Sequence, residues 1–146
     1  MIERITPEWI AGFFDGEGSV SAYSTRTRRG KGLYENIKIA MSQNDYSLMK
    51  AIQSRHQEFH LRESPKNHWQ LACWGKKAEP FLRLIEPLCI RKHSQIVLAL
   101  ELIGTLALKG RLSHRESVSE ETMERRFAIR QEMDRAKISD SVAMIQ

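Results

Sequence analysis

The first predicted elements are a helix and a β-hairpin. Apolar residues between positions 9 and 14 recur at helical spacing, directly after a start signal in which Thr6 precedes Pro7 and an acid. From position 19 to position 42 the pattern changes to alternation of apolar and polar residues, which is strand spacing. The sequence 29–32 (Arg-Gly-Lys-Gly) interrupts this alternation and predicts the turn of a hairpin.

The same order then repeats. The patterns predict, in sequence, a helix capped by Asn44 or Asp45, a hairpin over 59–74 turning at 64–67, helices over 81–85 and 96–103, and a charged helix over about 118–137 with a Ser117/Glu120 capping box. This order predicts an α+β fold with an αββαββα core, in which helices cover one face of an antiparallel sheet. We expect residues 1–108 to form the core and residues 109–146 a helical extension of the same domain.

Both predicted hairpins have one apolar and one polar face. If helices cover the apolar face, the polar face stays open, and a polar antiparallel ribbon can enter the major groove of DNA. An ordinary half-solvated sheet has the same periodicity, so the pattern alone leaves both interpretations open.

Composition and charge narrow the class of protein. The 146 residues are 41% hydrophobic and carry a net charge of +5, which fits one globular domain. Residues 111–146 hold seven basic and seven acidic residues, so the positive excess lies before them, and five cations against one acid between Ser19 and Ser42 favour a polyanionic partner. Cys73 and Cys89 lack metal-ligand spacing and predict reduced core residues. We expect an intracellular protein without a leader or a membrane span.

The segment 9–18 contains a row of small residues followed by two acids. Ala11, Gly12 and Gly16 would let a second helix approach closely. Asp15 and Glu17 fall at the helix C-terminus, where backbone carbonyls already concentrate negative charge, so an acid there favours a nearby cation. We expect Asp15 to hydrogen-bond at the helix end, and Glu17 with a backbone carbonyl to offer oxygen ligands to Mg²⁺.

The nine residues Ile-Ala-Gly-Phe-Phe-Asp-Gly-Glu-Gly, from Ile10 to Gly18, resemble the signature of the LAGLIDADG homing endonucleases. The predicted order of elements is similar to the core of that family, and residues 91–95 ahead of an apolar helix are similar to its closing stretch. The chain departs from the commoner pattern at Phe13, Phe14, Gly16 and Glu17. Because Glu17 replaces an aspartate, its carboxylate lies one methylene further from the backbone.

The resemblance implies roles for particular residues. Glu17 would be the catalytic acid that binds Mg²⁺ with help from the Gly16 carbonyl, and Mn²⁺ or Ca²⁺ could substitute in binding. Gln43 would position the attacking water, and Lys92 would lie near the scissile phosphate. Since the motif occurs once, the resemblance also implies a homodimer. Its interface would be formed by Trp9, Ala11, Gly12, Phe13 and Gly16.

The implied activity is a staggered double-strand cut in a long, pseudo-palindromic DNA target. By strand alternation, or by position in the first hairpin turn, the DNA-contacting residues would be Ser21, Tyr23, Thr25, Arg26, Arg28, Arg29, Lys31, Tyr34, Asn36, Lys38, Arg62 and Gln70. Two alternatives stay open. The first is a non-cleaving binder of the same fold, either a maturase acting on intron RNA or a DNA-binding regulator. The second is an unrelated basic α+β protein, which would be a monomer.

Overall fold

A computed structural model describes residues 1–26, 33–65, 67–106 and 119–145, with the backbone alone for 25, 26, 33, 34 and 139–145. Within these residues the chain forms four strands and five α-helices. They are α1 (Pro7–Glu17), β1 (Gly18–Arg26), β2 (Leu33–Gln43), α2 (Tyr46–Arg55), β3 (His60–Ser64), β4 (His68–Trp74), α3 (Glu79–Ile85), α4 (His93–Gly104) and α5 (Glu120–Ile145). The predicted α+β class and order of elements are confirmed.

The four strands form one antiparallel sheet in the order β1-β2-β4-β3. In its register Ser21 lies opposite Lys38, and Lys38 lies opposite Trp74 on the other side. Because side chains alternate between the faces of a sheet, these paired residues share one face. We call it the open face. The strand side chains that pack against the helices, such as Val20, Ile37 and Ile39, lie on the opposite face of the sheet.

The core lies between the helices and the second face of the sheet. Val20, Ile37 and Ile39 project from the strands into it and are fully buried. On the helix side Phe14 of α1 meets Phe81 of α3 edge-on, with ring centroids 5.7 Å apart. The position of α1 is therefore set by an aromatic contact at its C-terminal half, next to the two acids.

Side-chain caps start the first two helices where the sequence predicts them. The Thr6 hydroxyl accepts the backbone N–H of Trp9 at 3.1 Å, and the Asp45 carboxylate accepts that of Leu48 at 3.1 Å. Of the two predicted caps for α2, Asp45 is therefore the one used. The first hairpin turn and Lys66 in the second lie outside the described residues.

The last helix differs from its prediction. It continues to Ile145 rather than ending near Lys137, and its first turn is capped by Ser119, whose hydroxyl accepts the N–H of Thr122 at 3.2 Å. Ser117 lies outside the described residues. Ile129 and Met133 of α5 are buried, so this helix packs onto the core. Its charged sequence gave no end signal, because a helix end needs a glycine, a proline or a cap that α5 does not show before Ile145.

Both cysteines are free and buried, as expected. Burial, with a contribution from nearby Glu58, raises the pKa of Cys73 to about 11. Among the described helices, none combines the length and apolar character that crossing a membrane requires.

Candidate functional site

The end of α1 passes directly into β1 at Gly18. The Gly18 N–H donates to the Phe14 carbonyl, and a Cβ at Gly18 would lie 2.4 Å from Phe14 Cδ2 and 2.6 Å from the Phe14 carbonyl oxygen. The φ of Gly18 is −88°, which any residue adopts, so glycine is required here by space and not by backbone conformation. This close passage leaves Glu17 as the last residue of the helix, beside the first residue of the sheet.

Asp15 links α1 to the segment before α4. Its carboxylate accepts the backbone N–H groups of Ile90, Arg91 and Lys92 at 2.8, 3.1 and 3.0 Å. Burial raises the pKa of Asp15, but these three hydrogen bonds and one from the Cys89 thiol outweigh it, so the pKa lies below its ordinary value. Asp15 therefore has the structural role expected for it, although its partners lie far along the chain rather than within its own helix end.

Lys92 is held against the C-terminus of α1. It is 8% exposed, and its ammonium donates to the Asp15 carbonyl at 2.5 Å. Carbonyls in the last turn of a helix lack intrahelical partners and carry the negative end of the helix dipole, which attracts a cation. Lys92, the predicted basic residue, thus contacts Asp15, the residue that precedes Gly16.

An open depression of about 390 Å³ adjoins this helix end. Its lining combines glycines and small residues of the α1–β1 junction with three cations and one amide: Gly16, Gly18, Ser19, Val20, Arg91, Lys92, Gln95 and Lys137. Lys137 comes from α5 and also donates to the Ser21 hydroxyl at 3.3 Å. A depression with this lining suits a phosphate group.

Gly16 and Glu17 are exposed; Gly16 lines this depression, whereas Glu17 lies between the lining residues Gly16 and Gly18 in the chain and is not itself a lining residue. The Glu17 carboxylate and a last-turn carbonyl are hard oxygen ligands, and Mg²⁺ takes few protein ligands while keeping several waters. Within the described residues, no group of three His, Cys, Asp or Glu side chains converges on a metal position. The described residues of one chain therefore supply only some of the ligands that a divalent cation needs.

Gln43 ends β2, and it is not among the residues that line the depression. Its amide oxygen accepts the backbone N–H of Asn44 at 2.9 Å. In the register Gly18 lies opposite Met41, so Gln43 is two residues beyond the pair at the start of β1. Gln43 therefore lies near the end of the sheet at which α1 joins β1. Its role in positioning water stays a prediction.

One face of α1 carries two glycines that no other described residue contacts closely. A Cβ added at Gly12 or at Gly16 would meet no atom within 4 Å. Beside this small-residue row the rings of Trp9 and Phe13 stack, with centroids 5.2 Å apart and an interplanar angle of 12°. The row is therefore accessible to a second helix.

Ala11 does not belong to this accessible face. It is 1% exposed, and its carbonyl accepts a hydrogen bond from the Cys89 thiol at 3.5 Å. Its burial within its own chain removes Ala11 from the accessible face, on which Gly12 and Gly16 lie one turn apart. Of the predicted interface residues, Ala11 is therefore not accessible, while the interface itself, with Trp9, Gly12, Phe13 and Gly16, stays a prediction.

The predicted DNA-contacting strand residues share the open face of the sheet. The register pairs Ser21 with Lys38, Tyr23 with Asn36 and Arg62 with Gln70, all on that face. Arg62 donates through Nε and Nη2 to the Gln70 amide oxygen, at 3.1 and 2.8 Å. Thr25 and Tyr34 are paired in the same register, but the side chains of Thr25, Arg26 and Tyr34, and all of Arg28, Arg29 and Lys31, lie outside the described part of the chain.

Sequence reasoning missed four residues at these two surfaces. Trp74 is 37% exposed on the open face, where the Lys38 ammonium lies 5.7 Å from its ring centroid. Arg91 and Gln95 flank Lys92, and the spacing of Gln95 from Lys92, three residues, is a signal that places both on one helix face. Lys137 gave no signal, because its position depends on how α5 packs against the core.

Comparison with known proteins agrees with this geometry. A family model described as LAGLIDADG endonuclease matches residues 10–79, from the start of the motif to the start of α3. No curated protein sequence matches the chain. The family match covers slightly less than half of the chain, and it agrees with the motif and the fold in showing a resemblance to the LAGLIDADG endonucleases over residues 10–79.

Solved structures establish the same fold at low sequence identity. The homing endonuclease I-CvuI in complex with its target is 16% identical, with a TM-score of 0.75 over 89% of this chain and 80% of that one. I-TnaI, also a homing endonuclease, is 18% identical, with a TM-score of 0.72 over 97% of this chain and 99% of that one. I-SmaMI bound to cleaved DNA is 14% identical, with a TM-score of 0.70 over 86% of this chain but 42% of that one.

Proposed function

We propose that this protein is a site-specific homing endonuclease that acts as a homodimer and makes a staggered cut in both strands of a long, pseudo-palindromic DNA target. The observation that carries the proposal is the arrangement at the end of α1. An accessible Gly12/Gly16 row leads to the exposed Glu17, and the residues on either side of Glu17, Gly16 and Gly18, line the basic depression that contains Lys92.

The single motif and the accessible helix face support a homodimer. The chain spans nearly all of I-TnaI but less than half of I-SmaMI, so it corresponds to about half of the larger enzyme. Two copies of α1 packed through Gly12 and Gly16 about a twofold axis would bring the two Glu17 carboxylates together. Each strand of a duplex would then have its own acid.

A divalent metal completes the chemistry, with Mg²⁺ as the proposed ion. Glu17 and the Gly16 carbonyl would hold it, and when bound it would supply Lewis acidity at the scissile phosphate. Lys92 would stabilise the negative charge that builds on the phosphate oxygens, because its ammonium is fixed beside the helix end by its bond to the Asp15 carbonyl. Gln43 would orient the attacking water. Structures of I-CvuI with DNA in the presence of Ca and of Mg are consistent with this choice of ion.

The open face of the sheet would read the DNA. Its donors and acceptors, Ser21, Tyr23, Asn36, Lys38, Arg62 and Gln70, suit contacts with base edges in the major groove. Thr25, Arg26, Arg28, Arg29, Lys31 and Tyr34 remain proposed contacts of the first hairpin.

The test is selection of bound duplexes from a random DNA library, followed by incubation of the enriched sequence with Mg²⁺. Wild type and Glu17→Gln are compared, with Glu8→Gln in the first turn of the same helix as the matched control. We expect a near-palindromic sequence that all three proteins bind and that Glu17→Gln alone fails to cut. Enrichment without cutting by wild type would indicate a non-cleaving binder, and an enriched RNA in a parallel library would indicate a maturase.

A further inference from the structure

Glu35 places a carboxylate on the apolar, core-facing side of the first hairpin. It occupies the face of β2 that otherwise carries Ile37 and Ile39, and it is 8% exposed. The hydroxyl of Ser24, its partner in the register, donates to Glu35 Oε1 at 2.6 Å. A buried carboxylate is destabilising unless it is paired and hydrogen-bonded, so one hydroxyl alone does not explain its presence.

The missing partner comes from the C-terminal helix. Arg130 Nη1 of α5 lies 3.2 Å from Glu35 Oε1 and 3.4 Å from Oε2, and it also donates to the Ser24 hydroxyl. The Arg130 guanidinium carbon lies 5.8 Å from the ring centroid of Phe127, one turn earlier in α5. These three residues, Ser24, Glu35 and Arg130, form a polar cluster that joins α5 to the hairpin, and we call it the hairpin clamp.

The clamp is located where the hairpin leaves the rest of the sheet. β4 pairs with β2 only from Lys38 to Gln43, whereas β1 pairs with β2 as far as Arg26 and Leu33. Residues 22–26 and 33–37 therefore form a two-stranded ribbon beyond the third strand. Two-stranded ribbons are marginally stable and twist more than wider sheets. Because no third described strand supports the ribbon, a contact from outside it, such as that of Arg130, sets its angle to the sheet.

The neighbours of the clamp along the ribbon include residues that would read DNA. Tyr23 and Asn36 precede and follow Ser24 and Glu35 in the register, on the open face. A small rotation of the ribbon moves their side chains relative to base edges, and hydrogen bonds to bases tolerate only small displacements. We propose that Arg130 is a positioning residue that sets the DNA sequence preference of the first hairpin without touching DNA. This inference rests on the proposed function, and it extends that function to a helix outside the matched residues 10–79.

The test uses two readouts, one of which needs no DNA. Amide hydrogen exchange in residues 22–26 and 33–37 is compared between wild type and Arg130→Met, with Arg125→Met as the matched control. Arg125 lies in the same helix and pairs with Glu101 of α4, where both side chains are exposed. We expect exchange in the ribbon of Arg130→Met to be roughly tenfold faster and that of Arg125→Met to be unchanged. Unchanged exchange in both variants would overturn the proposal, whether or not the protein binds DNA.

The second readout is the sequence selected from a random duplex library. We expect Arg130→Met to lose preference at the base pairs that the first hairpin contacts while keeping it elsewhere, and Arg125→Met to select the wild-type sequence. If Arg130→Met folds poorly, the double variant Glu35→Gln/Arg130→Gln replaces it, because it leaves no unpaired buried charge. A selected sequence identical to that of wild type would refute a positioning role. If wild type itself selects no duplex, the proposed function fails, and the exchange measurement still decides whether the clamp holds the ribbon.

Discussion

Asp15 and Lys92 hydrogen-bond to each other in both directions. The Asp15 carboxylate accepts the backbone N–H of Lys92 at 3.0 Å, and the Lys92 ammonium donates to the backbone carbonyl of Asp15 at 2.5 Å. The first acid of the motif thereby fixes the segment that carries the basic residue. The second acid, Glu17, is exposed two residues further along the chain. The two acids therefore have different roles, since Asp15 holds the segment before α4 against α1 and Glu17 is accessible to a ligand.

We expect Asp15→Asn to lower the free energy of unfolding by about 2 kcal/mol, because three N–H groups lose a charged acceptor. Denaturant unfolding at neutral pH measures the loss, and Glu3→Gln at the exposed N-terminus is the control. An unchanged midpoint for Asp15→Asn would show that the three hydrogen bonds contribute no net stability.

The pH dependence of the same variant follows from the sign of the pKa shift. The pKa of Asp15 in the folded chain lies below its ordinary value of 3.8, so the unfolded chain binds a proton first as the pH falls. The stabilisation by the ionised carboxylate is fully present above about pH 4 and is lost as the pH falls through the folded pKa. The difference between wild type and Asp15→Asn should therefore be constant from pH 7 to about pH 5 and shrink below pH 4.

The sequence was sufficient to predict the elements and the motif, and the reason is local. Caps such as Thr6 and Asp45, and period-two alternation in the hairpins, depend on neighbours within four residues. The burial of Ala11 could not be predicted from the row of small residues, because it depends on Cys89, which lies far along the chain. Lys137 and Arg130 could not be assigned in advance. Their partners Ser21 and Glu35 lie in β1 and β2, and only the packing of α5 brings them together.

We expect Gly18→Ala to destabilise the fold by about 1–3 kcal/mol, because its Cβ would overlap Phe14 and its carbonyl oxygen. Gly104→Ala is the matched control, since a Cβ there meets no atom within 4 Å. Thermal unfolding of both variants tests the difference. If the two variants unfold together, the close passage at the α1–β1 junction is not a steric requirement.

We expect Gly12→Leu to abolish self-association while leaving the isolated chain folded. A Cβ at this position meets no described atom within 4 Å, so we expect the main cost to come from overpacking against a second molecule, at about 1–3 kcal/mol for each copy. Sedimentation over a range of concentrations gives the oligomeric state, and circular dichroism shows that the fold persists. Gly104→Leu, which also enters open space, should leave association unchanged. A Gly12→Leu variant that associates as tightly as wild type would move the interface away from the Gly12/Gly16 row.

Lys137 tests whether the C-terminal helix contributes to DNA binding at the depression beside α1. Its ammonium lies 3.3 Å from the Ser21 hydroxyl, where the open face meets the depression that Lys92 also lines. If it contacts a DNA phosphate, Lys137→Met should weaken binding by a similar factor for every sequence and reduce the salt slope by about one per chain. Lys137→Arg should restore both, because it keeps the charge. Lys50→Met is the control, since Lys50 is exposed on α2 and donates to Gln53 of the same helix. Titrations of one duplex at several salt concentrations measure the slopes, and a Lys137→Met slope equal to that of Lys50→Met would limit α5 to packing.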